Sequence, residues 1–559
     1  MQERESPGLS PERTWRQRLR SDFATALLHW SIVALFLVNL VTGLRIAGDA
    51  TDASWSHALS GMLPQGNVYI LHLWSAWALA AFCIGYIAFL AFAQLAPRVA
   101  IDGSRLRALK SHDRRTRWQA INVLVYWIAF LLIGAAVVSG SLLYFNIAPL
   151  DQQTLTTLHR VLAWSLVAYV LLHIAAQWAM AGWRGLLKII TPRIAYVAAA
   201  CIAVVTASAV AAAIVAVDQA TLPALVIAKT DSPPRLDGLR DEAVWQSAAT
   251  ARVETHNGQN LPQGSIPVLI SGVHDGEYVY LLFEWPDATR SQKHLPLQKT
   301  AEGWRVLQSD YARQDENVYY EDKFAVMLSR DSHLAALSTS HLGQQPLDGR
   351  PGGPNGRGLH YTTDGTLVDV WHWKSVRSGP LEQIDDNHFG PPLSPPDDPA
   401  TRYTGGYTQD PKTAGGFTMN WRKFDDGIVE PRWLPRSPEI LQQRMGTIDL
   451  DPAASDEGAW WLPRALVVDA TPELDALFPV GTVMPSVIAE APFEGDRGDV
   501  AAVAEWRDGW WRMEVKRRLS TASDYDVAIA DGTYLWVSVF DHTQTRHSFH
   551  LRPLQIELR

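Results

Sequence analysis

Cysteine is nearly missing from this chain of 559 residues: Cys83 and Cys201 are the two, and both sit inside long apolar runs. That excludes a disulfide framework, a CxxC zinc pattern and a CxxCH motif for covalent haem attachment. Also missing are HExxH, a P-loop, a dinucleotide fingerprint and a hydrolytic triad, so any substrate chemistry belongs to a partner. Positive charge is not in excess either. Lys and Arg number 49 against 58 Asp and Glu, a formal net charge of −9, which gives no reason to expect nucleic acid.

What is present is length and two unlike halves. The chain is too long for one compact core. Its mean hydropathy of −0.05 averages apolar runs within 23–217 with a second half rich in Asp, Gly, Pro, Trp and Arg. Five segments, roughly 23–44, 69–94, 119–145, 155–180 and 194–217, meet the ~20-residue length needed to span a bilayer, so membrane lipid is the first expected partner. The first follows a basic leader (Arg13, Arg16, Arg18, Arg20) without a small-residue cleavage site and reads as a retained helix. The leader and the 97–118 and 181–193 loops are basic, whereas Arg45 is the lone cation of loops 45–68 and 146–154. The positive-inside rule therefore puts the N-terminus in the cytoplasm of a bacterial inner membrane. Five spans then put residues 219–559 outside, in the periplasm of a Gram-negative cell. The expected division is a leader over 1–22, a four-helix bundle over 23–192, a tethering helix over 193–218 and an extracytoplasmic all-β domain over 219–559.

Histidines are placed unevenly along these spans. In LHRVLAWSLVAYVLLH, His159 and His173 are fourteen residues apart. Fourteen steps of 100° fall about 40° short of four turns, so both lie on nearly one face, ~21 Å apart. Alternating span direction puts His29 (LLHW) and His173 near the inner surface, and His72 (ILHLW) and His159 near the outer one. One intramembrane histidine is explained as well by a helix–helix hydrogen bond or a proton relay. Four that pair by depth on three helices match two bis-histidine haem b sites, each ring supplying one axial nitrogen. Gly43, Gly85, Gly134 and Gly140 are the places where a porphyrin approaches the backbone in this reading.

RLRSDFATALLHWSIVALFLVNLVTGL, ILHLWSAWALA and the His159–His173 run resemble the diheme cytochrome b subunits of membrane-bound hydrogenases and formate dehydrogenases. The resemblance covers about 19–190. It implies the same four ligands and electron transfer between a quinone pool and an outside partner, such as a periplasmic cytochrome or redox enzyme. It also implies a quinone site beside the inner haem and the 97–118 loop. As an enzyme, the chain would act in quinol oxidoreduction.

The second half punctuates as a β-sandwich: LDGLRDEAVW, VHDGEYVYLLFEWPD, EDKFAVMLS, WRMEVKRRL and YLWVSVFD are short aromatic and β-branched runs between turn residues. The tract 343–440, rich in Gly and Pro, reads as a functional loop. The framework motifs over about 225–559 resemble the haem-binding domain of the ethylbenzene dehydrogenase gamma-subunit family. That resemblance implies a third haem b with axial methionine and lysine. His341 in STSHLG and Met484 in GTVMPSV are the first choice of ligands here, with Lys374, His372, Met327 and His360 as alternatives. A His/Met haem would sit at higher potential than its bis-histidine neighbours and draw electrons outward. The competing reading keeps two membrane haems and makes the soluble half a sugar- or ligand-binding module without haem.

Overall fold

The computed structural model describes residues 21–48, 59, 61–147, 151–308, 316–333, 340–341, 349–351, 358–397, 402–425 and 427–559. The basic leader lies outside them. The chain divides into two compact units, 1–47 with 68–221 and 48–67 with 222–559.

In the first unit five helices are long and apolar enough to cross a membrane. They are α1 (Phe23–Gly48), α2 (Val68–Phe92), α3 (Arg114–Phe145), α4 (Gln152–Ile190) and α5 (Val197–Ala220). Asp151 caps α4 by accepting from Thr154 N at 2.8 Å. Gly182, at φ 55°, breaks the regular helix beyond His173, a left-handed conformation that glycine adopts without a Cβ penalty. Helices α3 and α4 pack together, and α2 packs on α5. Gly85 makes the second contact possible, since a Cβ there would stand 3.3 Å from the Ala207 methyl. The buried Tyr144 hydroxyl donates to Asp218 at 2.9 Å, tying the end of α3 to the end of α5.

The second unit is all-β apart from short helices. Twelve strands form one hydrogen-bonded sheet: β1 (Ala224–Lys229), β2 (Thr250–Thr255), β3 (Ile266–His274), β4 (Tyr278–Pro286), β5 (Lys323–Ser329), β6 (Val368–Lys374), β7 (Asp385–Phe389), β8 (Tyr407–Gln409), β9 (Ala501–Arg507), β10 (Trp510–Arg518), β11 (Tyr534–Phe540) and β12 (Leu554–Leu558). Their order is β8-β7-β6-β5-β11-β12-β1-β3-β4-β10-β9, with β2 on β3. The sheet curls over itself, because Trp285 on β4 stacks on Phe324 of β5 with ring centroids 4.5 Å apart. Alternation explains the core. Phe324, Val326 and Leu328, Trp371 and Trp373, and Leu535, Val537 and Val539 all point inward against Phe283, Trp285 and Trp511.

Two expectations need correction. LDGLRDEAVW forms turns and the short helix Ala243–Ser247 in place of a strand. Within 343–440, the described residues include β6, β7 and β8, at one edge of the main sheet. DDNHF in β7 looks like a loop because of its two acids. Both are fully buried, and Lys374 and Arg497 neutralise Asp385.

His550 shows how strictly the interior controls protonation. Its Nε2 accepts from Val537 N at 2.9 Å and its Nδ1–H donates to the Arg552 carbonyl at 2.7 Å, so the ring must be neutral. Burial pushes its pKa down to about 4. Between pH 6.5 and 4 the unfolded chain takes up a proton that the folded chain refuses. The contribution is therefore complete above pH 6.5 and is lost toward pH 4, on the order of 3 kcal/mol. Thermal unfolding of the detergent-solubilised chain should show this slope, and His550→Gln should be less stable at pH 7 but flatter in pH.

Candidate functional site

Helix α4 supplies a histidine to each of two pairs. His29 on α1 and His173 on α4 stand with ring centroids 6.5 Å apart, inclined at 41°. His72 on α2 and His159 on α4 stand 6.2 Å apart at 84°. Two iron–nitrogen bonds of about 2 Å, with a little over 1 Å from each nitrogen to its ring centre, would separate coaxial imidazoles by about 6.3 Å. Both centroid separations lie close to that value.

Neighbouring hydroxyls fix the tautomers of the second pair. Thr42 spends its proton on the Val38 carbonyl at 2.6 Å, so its oxygen accepts the Nδ1–H of His72 at 3.0 Å. Ser139 donates to the Ala136 carbonyl at 3.0 Å and accepts from His159 Nδ1 at 3.0 Å. Each ring is left with its Nε2 lone pair for a metal, held in orientation by a group behind the ligand. The next residue in both helices is a glycine pressed against the same ring. A Cβ on Gly43 would lie 3.1 Å from His72 Cε1, and one on Gly140 would lie 3.0 Å from His159 Cε1. These two glycines make room for imidazole, whereas no atom lies within 4 Å of a Cβ at Gly134. Thr42-Gly43 and Ser139-Gly140 are thus a repeated hydroxyl-glycine step, a signal present in the sequence but not used in reading it. The first pair is built otherwise. His173 stacks on Tyr169 at 5.8 Å and its buried Nδ1 has no partner, and His29 meets Trp30 edge-on at 5.6 Å.

In the β domain the other face of β5, β6, β7, β8 and β11 gathers histidines and aromatics. Met327, Val370, Phe389, Tyr407 and Trp536 pack there. His372 stacks on Phe540 at 5.2 Å and His360 on Phe389 at 4.6 Å, while His547 leans on Phe540 at 4.7 Å with its ring tilted by 44°. The Nε2 of His372 and the Nδ1 of His360 are buried without a partner. Burial, helped by His547 and His341, pushes His360 down to about 3, and burial pushes His341 down to about 4. These imidazoles are held neutral, the form that binds metals.

The His341 and Met484 of the sequence reading occupy different clusters. His341 stacks on Tyr361 at 3.8 Å, beside Leu359 and Tyr403. Met484 is fully buried, paired across strands with Leu297, in a cluster with Trp304 and Phe478. The Lys374 ammonium is committed to Asp385. Met327 and His372 are instead half-buried on strands whose other residues are buried.

The sequence model of the family described as ethylbenzene dehydrogenase matches residues 242–552, more than half of the chain. The chain belongs to the ethylbenzene dehydrogenase family. Residues 20–192 match the family described as prokaryotic cytochrome b561. A cytochrome b is thus fused to an ethylbenzene dehydrogenase-like domain, making a membrane b-type cytochrome that works in electron transfer with haem b. No curated protein matches the chain. Among solved structures, a family 9 carbohydrate binding module from Caldicellulosiruptor kristjanssonii, in complex with cellotriose, is 9% identical to the family member described here. The comparison covers 60% of this chain and 93% of that one, with a TM-score of 0.22. The same module with glucose gives 9% identity, 60% and 95% coverage and a TM-score of 0.21. Nothing about ligands follows from scores of that size.

Proposed function

We propose that the chain is an electron conduit of the bacterial inner membrane, carrying electrons between the quinone pool and a periplasmic cytochrome or redox enzyme. His29 with His173, and His72 with His159, hold two haem b groups. The observation that carries this reading is the pair of centroid separations, 6.5 and 6.2 Å, with α4 contributing to both. When bound, such a group supplies one-electron transfer with no open coordination position. The protein orients the imidazoles through Thr42 and Ser139 and keeps water away with the apolar helices. Quinone exchanges electrons beside the His29/His173 pair and the basic 97–118 loop.

A third haem lies against the histidine-lined face of the periplasmic domain. His341 remains the first axial candidate. His372 and Met327 replace Met484 for the second position, because they lie half-buried on that face and Met484 packs elsewhere. The orphaned Nε2 of His372 and Nδ1 of His360 support this placement. A pyridine haemochrome assay on the full chain should give three haems per polypeptide, and two in His372→Ala or His341→Ala. Two haems in the unaltered chain would leave the domain as a binding module.

A further inference from the structure

Three carboxylates meet at one end of the β domain, where among the described residues no Lys or Arg pairs with them. Asp287 directly follows β4, Asp322 directly precedes β5 and Asp541 directly follows β11. The pairing of Phe540 with Lys323 brings Asp541 and Asp322 to the same end of neighbouring strands. The stack of Trp285 on Phe324 brings the end of β4 across the core toward them. One oxygen from each carboxylate lies within 4.8 Å of the other two. The residues are 6%, 1% and 9% exposed, so water cannot screen them.

Several other buried acids in this domain face a cation or a set of N–H donors. Asp369 and Asp526 share the Arg517 guanidinium at 3.1 and 2.9 Å. Glu514 takes the Asp237 and Gly238 N–H groups and the Trp245 indole. Among the described residues, no Lys or Arg forms an ion pair with Asp287, Asp322 or Asp541, and the one titratable partner is His542, with Nδ1 2.5 Å from Asp541 Oδ1. Neutral donors do fix the carboxylates. Asp322 accepts from Ser291 N at 2.7 Å, Trp511 Nε1 at 3.3 Å and His542 N at 3.2 Å, and Asp287 Oδ1 accepts from Thr289 N at 3.1 Å. A second observation marks a missing ligand: Asp287 Oδ2 is buried with no partner. An oxygen of the Asp287 carboxylate lies within 4.8 Å of oxygens of both Asp322 and Asp541, so the group faces them.

We infer that Asp287, Asp322 and Asp541 form a calcium site that clamps the ends of β4, β5 and β11. The donors are all hard oxygens, the set calcium prefers. Two oxygens on opposite sides of a calcium ion lie about 4.6–5.2 Å apart, which the observed spacing accommodates. Asp541 also opens the connection that leads to His547, so the ion would brace that connection at its root.

The test uses the detergent-solubilised full chain stripped with a calcium chelator. Calcium, and not sodium or potassium at equal ionic strength, should raise its thermal midpoint. Equilibrium dialysis with radioactive calcium should give one more bound equivalent per chain than in Asp287→Asn or Asp541→Asn. Both substitutions are isosteric and remove a repelling charge, so without calcium the variants should be at least as stable as the stripped parent. Absence of a calcium-dependent shift, equal stoichiometry in parent and variants, or Asn variants weaker than the stripped parent would each overturn the site.

Discussion

Replacing His173 by alanine is expected to remove one membrane haem completely and leave the spectrum of the other intact. The two pairs share α4 but no ligand, and His159 and His173 are ~21 Å apart along its axis, so the loss should not spread. Haem content per polypeptide, together with low-temperature difference spectra, reads the result. Loss of both haems from a chain that still inserts would mean that the sites are not separate. Ser139→Ala makes the complementary case. His159 keeps its Nε2 but loses the acceptor for its Nδ1–H, which makes the imidazole less basic and favours reduced iron. One haem should be retained at a raised midpoint potential, with the other unmoved. Because His173 has no such acceptor, the alteration should identify the potential of the His72/His159 haem.

Asp385→Asn is expected to be the most destabilising single change in the β domain among those considered. Asp385 is fully buried, contacts the Lys374 ammonium, and binds Arg497 through Nε at 2.6 Å and Nη2 at 3.1 Å. Burial alone would raise its pKa, but the two cations more than offset this and hold it below the ordinary carboxylate value. Neutralising it strands two buried cations, at a cost of about 3–5 kcal/mol for a broken buried pair. Thermal unfolding of the full chain should move sharply downward in Asp385→Asn. The double variant with Lys374→Met should recover part of the loss, since it removes one of the stranded charges. A midpoint unchanged in the single variant would show that Lys374 and Arg497 find other partners.

Much of the candidate site was legible because membrane helices obey simple rules. Apolar length marks the spans, and the 100° step puts His159 and His173 on one face. Alternating direction then pairs them with His29 and His72, the pairs whose rings stand together in the structure. The β domain was legible only where strands alternate, as in EDKFAVMLS and YLWVSVFD. DDNHF was misread because local composition carries no information about Lys374 and Arg497, which neutralise it from 11 and 112 residues away.

By itself the sequence determined that five apolar helices precede an all-β domain, and which four histidines come together in two pairs. These follow from local periodicity and hydrophobic length, each set within one segment. Tertiary structure alone decided that Thr42 and Ser139 stand behind His72 and His159, that Met484 and His341 occupy different clusters, and that Asp287, Asp322 and Asp541 converge. Each of these depends on side chains brought together from distant strands or helices, and the energy that holds them is a matter of burial and charge at a meeting point that no single segment contains.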